Sequence, residues 1–222
     1  MGINNKGCRL VCTKYPAINL FDDVANAEDF EALYALQSLT NPRIQDLAGN
    51  VELIEPKEIP YQCTSGRSYA VAPFTHVNPN GGRFNDGLFG ALYIADTERT
   101  AMLEVKHHQQ VYFENIEGLE FDRIVFRSLI VRLNSKPIHK VSKNDTEILN
   151  PDSYRSSQSL ARQLKKEGFQ GVLYPNVRNG SAMCMALFTP KAMLDITQAS
   201  LIEMIWNGER IDDVSHVNHI DA

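Results

Sequence analysis

An arginine, a tyrosine and a glutamate lie at close spacing within residues 81 to 105, which read GGRFNDGLFGALYIADTERTAMLEV. Tyr93 follows Arg83 by ten residues, and Glu104 follows Tyr93 by eleven. A guanidinium offers forked donors to phosphate or carboxylate oxygens, an aromatic ring can stack on a flat substrate, and a carboxylate can stabilise developing positive charge. The same arginine and glutamate can instead form an ion pair that only stabilises the fold, which is the commoner role of such pairs.

The elements around these residues decide whether they meet. Four glycines between positions 81 and 90 permit a tight loop, and the apolar run ALYIA that follows predicts a buried strand. Asp96 or Thr97 is placed to cap the next helix. On a helical wheel Glu104 falls at the edge of that helix's apolar stripe, so we expect a half-buried carboxylate that pairs with Arg83. The stripe consists of Ala101, Met102 and Val105.

The amino-terminal third contains both clear and ambiguous segments. Residues 8 to 20 are rich in β-branched and aromatic types, and Pro16 ends the first strand-like piece. Asn26 is expected to cap a helix over AEDFEALYALQSL, which Pro42 closes. Residues 44 to 71 predict only mixed structure, in which VELIEP and QCTSGRSYAVAPF are the strand-like pieces.

The segment after Glu104 predicts a strand, a long polar excursion and a helix. FDRIVFRSLIVRL, at 121 to 133, has the β-branched content of a sheet strand. Residues 136 to 158 are polar and turn-rich, and we interpret them as a flexible excursion with a functional role because of their length. Ser156 is expected to cap the following helix, and Gly168 to close it in a left-handed conformation.

The remaining residues predict a hairpin and a terminal helix. GVLYPNVR and SAMCMALF, separated by Asn179-Gly180, are typical of a β-hairpin with a tight turn. SLIEMIW, at 200 to 206, indicates a helix before an acidic tail.

Composition indicates one globular domain over residues 1 to 222, with a core at about 8 to 195 and the terminal helix and tail at 196 to 222. Hydrophobic residues make up 43% of the chain and charged residues 22%. No apolar run approaches the roughly 20 residues that cross a bilayer, and the amino terminus lacks the apolar core of a signal peptide. We therefore expect a cytoplasmic protein without a membrane partner. A net charge of −5 argues against nonspecific nucleic-acid binding.

Several familiar chemistries have no sequence support. The chain lacks a GxxxxGK[ST] phosphate loop, an HExxH zinc helix and a GxSxG elbow. Cys8 and Cys12 have no second ligand pair at metal spacing, so we interpret them as reduced thiols buried on a strand. His107 and His108 are adjacent and point about 100° apart on a helix, so they cannot share one metal. We expect no metal site.

Five ordered segments resemble one protein family, the RES-domain toxins. The central segment holds Arg83, Tyr93 and Glu104, and the others span about residues 8 to 190. They are RLVCTKYPAINLFDD, LTNPR at 39 to 43, APFTH at 72 to 76, and GVLYPNVRNGSAMCMALF at 171 to 188. The resemblance implies an α/β (α+β) domain of small mixed sheets with flanking helices, similar to the ADP-ribosyltransferases.

The resemblance also implies the substrate and the residues that act on it. The family's substrate is NAD, which its members cleave at the nicotinamide–ribose bond by hydrolysis or phosphorolysis, or use to pass ADP-ribose to a protein. The matched site positions are Glu104, Arg83, Tyr93 and Asn176 for catalysis. Arg9, Arg83 and Tyr93 are those for binding NAD.

Asn176 stands where the family has a serine. A longer side chain would fill space that the serine leaves open, so we expect it to lower activity. This leaves three hypotheses: depletion of NAD by a bacterial toxin, ADP-ribosyl transfer to a target protein, and NAD binding with impaired catalysis. The implied partner is an Xre-like helix-turn-helix antitoxin, through which alone the protein would contact DNA, and a homodimer within the toxin–antitoxin complex is compatible with the resemblance.

Overall fold

The computed structural model describes residues 5–14, 49–134 and 138–217. The strands are β1 (Lys6–Cys12), β2 (Leu92–Ala95), β3 (Asp122–Leu133), β4 (Ile138–Lys140), β5 (Gly171–Pro175), β6 (Met183–Leu187), β7 (Met193–Trp206) and β8 (Ile211–His216). The α helices are α1 (Arg67–Thr75), α2 (Glu98–Glu114) and α3 (Arg155–Lys166). Short 3-10 helices lie at Val51–Leu53, Pro56–Glu58 and Pro190–Ala192.

The described strands form one eight-stranded sheet in the order β4-β5-β6-β2-β1-β3-β7-β8. The β4–β5 pair is parallel, and the other neighbouring pairs are antiparallel. The mixed α/β fold class predicted from the sequence is confirmed, although the strands join one sheet where several small sheets were expected. Because β2 lies between β1 and β6, the central motif sits in the middle of the sheet.

Helices cover both faces of this sheet. Alternate residues of β5 and β6 belong to two different hydrophobic clusters, as expected for strands buried on both sides. One cluster packs under α1, and the other packs under α2 and α3. Tyr174 and Cys184 belong to the second cluster. The α2 and α3 face is therefore the one on which Glu104 lies.

Six predictions about local structure are confirmed. The run ALYIA contains β2, and Thr97 caps α2 by accepting a hydrogen bond from the amide of Thr100 at 3.1 Å. Residues 121 to 133 contain β3, and β5 and β6 form the expected hairpin. Gly168 closes α3 with a φ of 83°. Cys8 and Cys12 are free, partly buried thiols on β1.

The predicted carboxy-terminal helix is wrong, because SLIEMIW forms the second half of strand β7 and β8 follows it. Its buried residues are Ile202, Met204 and Trp206, which repeat every second position. Leu201 and Ile205 lie between them and are partly covered on the other face. The segment therefore reads as a continuous apolar run, which periodicity alone cannot distinguish from a helix.

The strand-like reading of QCTSGRSYAVAPF is also wrong, since its second half forms α1. Gly66 precedes this helix with a left-handed φ of 69°, and an added Cβ there would lie 2.4 Å from the carbonyl oxygen of Ile196. The helix buries Ala70, Val71 and Phe74, a helical spacing that the β-branched and aromatic content obscured.

Two predicted turn and cap residues act differently from expectation. Helix α3 begins at Arg155 with Tyr154 as its N-cap, because the hydroxyl of Ser156 donates to Glu147 at 2.7 Å and caps nothing. The Asn179-Gly180 pair has no positive φ, so the two-residue tight turn is wrong and a longer connection joins β5 to β6.

Some predictions fall outside the described residues. They are the helix after Asn26, its closure at Pro42, the segment LTNPR, and the part of RLVCTKYPAINLFDD beyond residue 14. Among the described residues, every helix is too short or too polar to cross a bilayer.

Candidate functional site

Tyr93 fixes the loop that carries Arg83. Its hydroxyl accepts a hydrogen bond from the amide of Phe84 at 2.8 Å and donates one to Oδ1 of Asn85 at 2.7 Å. The backbone of Gly82 lies against the Tyr93 side chain, because a Cβ added to Gly82 would lie 2.8 Å from the Tyr93 hydroxyl oxygen. Burial raises the pKa of Tyr93. The phenol is therefore a neutral anchor whose proton is already committed to the loop.

Arg83 is a buried cation with an unused donor. It is 7% exposed, and its Nη1 donates to the carbonyl oxygen of Asn150 at 2.7 Å. Its guanidinium carbon lies 4.6 Å from the centre of the Tyr154 ring. Nη2 is buried and has no hydrogen-bond partner among the described residues. Because a buried unsatisfied donor is costly, this atom is suited to an anionic or carbonyl ligand.

Asn150 and Tyr154 belong to the polar excursion predicted at residues 136 to 158, which is more regular than expected because it contains β4 and the first turn of α3. Sequence reasoning expected a functional role for that excursion but did not identify these two residues. The excursion contributes a carbonyl and an aromatic face to Arg83, and α3 adds the Ser157 hydroxyl, which donates to the Arg83 carbonyl oxygen at 2.6 Å. These contacts hold Arg83 from two further elements.

Glu104 is a half-buried carboxylate whose two oxygens are both engaged. Its side chain is 25% exposed, Oε1 accepts from Nδ2 of Asn176 at 2.8 Å, and Oε2 accepts from Nη1 of Arg178 at 2.9 Å. Nε2 of His108 lies 3.7 Å from Oε2. Burial alone would raise the pKa of Glu104, but the interactions with His108, Arg178 and Asn176 outweigh it and lower the pKa to about 2. The carboxylate is ionised at neutral pH.

The predicted pairing of Glu104 with Arg83 is therefore wrong. Arg178 takes that place from the connection between β5 and β6, while Arg83 turns towards Asn150 and Tyr154. The fold brings the hairpin across the middle of α2, a long-range contact that spacing along the chain does not reveal. Arg178 was missed, and the available signal was its position two residues after Asn176 in PNVR.

Asn176 organises the same connection. It is 3% exposed, and its Oδ1 accepts from the amides of Arg178 at 2.9 Å and Asn179 at 2.7 Å. Its Nδ2 donates to Glu104 and also contacts Sγ of Cys184 at 3.4 Å. The extra length of asparagine over serine is thus used to reach Glu104, and every polar atom of the side-chain amide has a partner.

Arg9 supports the site from the next strand. Its Nη1 donates to the carbonyl oxygen of Tyr93 at 3.1 Å, and burial lowers its pKa to about 10. It remains a cation at neutral pH behind the β2 backbone. No direct contact joins Arg9 to Glu104 among the described side chains.

Tyr174 lies near Cys184, Tyr93, Glu104 and Arg83. Burial, followed by the nearby Cys184, Tyr93 and Glu104, raises its pKa, whereas the charge of Arg83 lowers it. These groups lie close enough to act on one phenol. The structure therefore brings Arg83, Tyr93, Glu104 and Asn176 into one region, although the bonds between them differ from those expected.

A separate cleft of about 470 Å³ lies between the end of α2 and the turn joining β7 to β8. Phe113, Trp206 and three glutamates line it, and it contains none of the residues singled out by the sequence. No group of three or more His, Cys, Asp or Glu side chains is arranged to hold a metal ion in the described part of the chain.

Comparison with known proteins identifies the family of this chain. The family model described as "RES domain" matches residues 59–207. This chain belongs to the RES domain family. All of β2, α2, β5 and β6 lie within the matched range, so the RES domain contains Arg83, Tyr93, Glu104 and Asn176.

Two individual proteins are similar to this RES-domain protein. The uncharacterized protein y4oC of Sinorhizobium fredii is 24% identical over 219 residues, which cover 95% of this chain and 87% of the relative. The crystal structure of the M. tuberculosis MbcT–MbcA toxin–antitoxin complex contains a chain with 15% identity and a TM-score of 0.38, covering 55% of this chain and 73% of that one.

Proposed function

We propose that this RES-domain protein cleaves NAD at the bond between nicotinamide and ribose and depletes it, as the toxin of a bacterial toxin–antitoxin pair. One observation carries the proposal: an ionised, half-buried carboxylate, Glu104, lies in the same region as a buried arginine, Arg83, whose Nη2 lacks a hydrogen-bond partner among the described residues. An anionic substrate that carries a positively charged leaving group needs a group of each kind. The RES resemblance supplies the identity of that substrate as NAD.

The proposed reaction assigns each residue a part. As the bond from the ribose carbon to the nicotinamide nitrogen breaks, its electron pair neutralises the ring and positive charge develops on the ribose. Glu104 stabilises that charge, because the site keeps it ionised. Water or phosphate then supplies the oxygen that bonds to the ribose carbon, and the attacking group loses a proton.

The arginines and the tyrosine bind and orient the substrate in this proposal. Nη2 of Arg83 is available to a pyrophosphate oxygen, while Nη1 and the stack on Tyr154 fix the plane of the guanidinium. The hydroxyl of Tyr93 is occupied by the loop, so its contribution to NAD is the ring face. Arg9 adds positive charge behind Tyr93.

Two alternatives remain in view. Transfer of ADP-ribose to a protein uses the same bond cleavage and the same Glu104, with a protein side chain as the acceptor. Binding without turnover is supported by one observation, namely that Asn176 occupies Oε1 of Glu104 while Arg178 occupies Oε2. Each oxygen keeps a second lone pair, but the two contacts restrict the directions from which a ribose can approach the carboxylate.

Incubation of the purified full chain with labelled NAD, with and without phosphate, separates these alternatives. We expect free ADP-ribose from hydrolysis, or a phosphorylated ADP-ribose when phosphate is the acceptor. Label on protein would indicate transfer, and binding by calorimetry without any product would indicate the impaired form. If the chain neither binds NAD nor forms a product from it, NAD is not the substrate.

The proposed partner is an Xre-like helix-turn-helix antitoxin that blocks the site and supplies the DNA contact. The net charge of −5 makes direct binding to DNA by this chain unfavourable. Co-expression with the product of the neighbouring gene should restore growth and yield a complex on size exclusion. Harmless expression of this chain alone, with no such gene beside it, would contradict this part of the proposal.

A further inference from the structure

The connection between β5 and β6 is held at both ends. Oδ1 of Asn176 accepts from two amides of the connection, and the amide of Asn176 donates to the carbonyl oxygen of Ala182 at 2.9 Å. Nζ of Lys143 donates to the carbonyl oxygen of Gly180 at 2.7 Å. These bonds define one backbone path for the connection, so the position of Arg178 is set by the fold.

Arg178 uses only part of its donor set. Its Nη1 donates to Glu104 at 2.9 Å, whereas Nη2 and Nε have no hydrogen-bond partner among the described residues. The side chain is 28% exposed, so these two atoms are within reach of a ligand. A guanidinium is planar and can bridge two anions with different edges, which an ammonium cannot do with fixed geometry.

We propose that Arg178 is a further site residue that orients Glu104 through Nη1 and binds a phosphate group of the nucleotide substrate through Nη2 and Nε. This inference rests on the proposed function for the identity of the substrate, but its first half concerns Glu104 alone. In this arrangement Arg83 and Arg178 each keep one nitrogen on a protein oxygen and present another to the ligand.

The charges around Glu104 show why Arg178 matters to the carboxylate. His107 and His108 face it from α2, Tyr174 from β5 and Cys184 from β6. Burial and the charges of Arg178 and His108 lower the pKa of His107, and burial raises the pKa of the Tyr174 phenol and the Cys184 thiol, so none of these three groups supplies a positive charge to Glu104 at neutral pH. Arg178 is then the one permanent cation bonded to Glu104 in the described structure.

The sign of the expected pH effect follows from that charge. The pKa of Glu104 is lowered to about 2, so in the wild type the carboxylate protonates only at strongly acid pH. Removal of Arg178 removes a stabilising charge and raises the pKa of Glu104. The acid side of the pH profile of kcat/KM should therefore move to higher pH in Arg178→Gln.

The experiment compares wild type, Arg178→Gln, Arg178→Lys and the control Arg132→Gln. Arg132 forms an ion pair with Asp195 at 2.9 Å, remote from Glu104 in sequence and contacts. Calorimetry with NAD and with nicotinamide riboside, which lacks phosphate, separates phosphate binding from general damage. We expect Arg178→Gln to raise the Kd for NAD at least about tenfold, equivalent to roughly 1.4 kcal/mol, with the Kd for the riboside changed less than about twofold.

Arg178→Lys should recover part of the NAD affinity but not the wild-type pH profile, and Arg132→Gln should match the wild type. An equal loss for both ligands, or wild-type NAD affinity in Arg178→Gln, would overturn the phosphate contact. If the wild type itself neither binds nor consumes NAD, the proposed function fails. NMR titration of the Glu104 carboxyl carbon then tests the first half alone, and an unchanged pKa in Arg178→Gln would overturn it.

Discussion

The two ends of the central sheet are built differently. On one side β3 and β7 pair from Asp122 and Trp206 to Leu133 and Met193, and β8 extends this ladder. On the other side β2, β5 and β6 are short strands, and their connecting loops are joined by side-chain hydrogen bonds. The side made of β3, β7 and β8, which we call the ladder side, is held mainly by backbone pairing and apolar burial. The side made of β2, β5 and β6, which we call the site side, depends on polar side chains.

This difference indicates where stability and chemistry reside. Long antiparallel pairing over a buried face tolerates few core changes but needs no particular polar group. The site side contains a buried arginine with an unused donor and a carboxylate held by three neighbours, which are features that cluster at functional sites. Variants on the two sides should therefore separate turnover from unfolding.

The largest expected effect is that of Glu104→Ala on the site side. We expect NAD turnover to fall by at least about a thousandfold, roughly 4 kcal/mol of barrier, while the melting temperature changes little. Glu114→Ala, near the end of the same helix, is the matched control and should keep full turnover. If NAD turnover fell only two- to threefold and the melting temperature also fell, Glu104 would have a structural role. The two sides of the sheet would then not differ in the way proposed.

Met204→Ala tests the ladder side. Met204 on β7 is 0% exposed within the cluster under α2, and its truncation should lower the free energy of unfolding by about 3 kcal/mol. Turnover per folded molecule should stay within about twofold of the wild type. Denaturant unfolding and active-site-normalised kinetics measure the two quantities. Reduced turnover at unchanged stability would show that the ladder side contributes directly to catalysis.

Arg83→Lys keeps the positive charge on the site side but removes the planar set of donors that a guanidinium provides. A lysine cannot donate to Asn150, stack on Tyr154 and offer a third direction to a ligand at once. We expect the Kd for NAD to rise about thirtyfold, roughly 2 kcal/mol by calorimetry. Arg132→Lys provides the control on the ladder side. Wild-type affinity in Arg83→Lys would remove Arg83 from the binding site.

Elements marked by local signals were predicted from the sequence, whereas those that depend on long-range pairing were not. Glycines, the Thr97 cap and the ALYIA run are local signals, and each produced the expected element. The segment SLIEMIW carries apolar residues on both faces of β7, so its period was ambiguous and the helix prediction was wrong. Its partner β3 lies far away in the chain, and only the pairing resolves the ambiguity.

The residues of the site were more predictable than the bonds between them. Arg83, Tyr93 and Glu104 all lie near Tyr174, and Asn176 donates to Glu104, whereas their roles in binding and catalysis stay predictions. Arg178 could not be assigned to Glu104 from the sequence, because the contact depends on where the connection between β5 and β6 crosses α2. The hydrogen bonds that join the Tyr93 hydroxyl to Phe84 and Asn85 likewise depend on how the loop folds, and the sequence did not predict them.

The smallest expected effect is that of Asn176→Ser, which tests how tightly the site side needs its polar bonds. Serine is shorter and has one donor, so its oxygen can accept from the amides of Arg178 and Asn179 but its proton does not reach Oε1 of Glu104. That oxygen becomes free to address the ribose. We expect NAD consumption to rise at least about tenfold, roughly 1.4 kcal/mol of barrier, and cellular toxicity to rise with it. Lost hydrogen bonds should lower the free energy of unfolding by about 1 kcal/mol, so the variant gains rate at a small cost in stability. Asn144→Ser, in an exposed turn, controls for the substitution itself. Equal rates for Asn176→Ser and wild type would mean that the contact from Asn176 to Glu104 does not limit the chemistry, and the site side would then tolerate loss of a polar bond as the ladder side does.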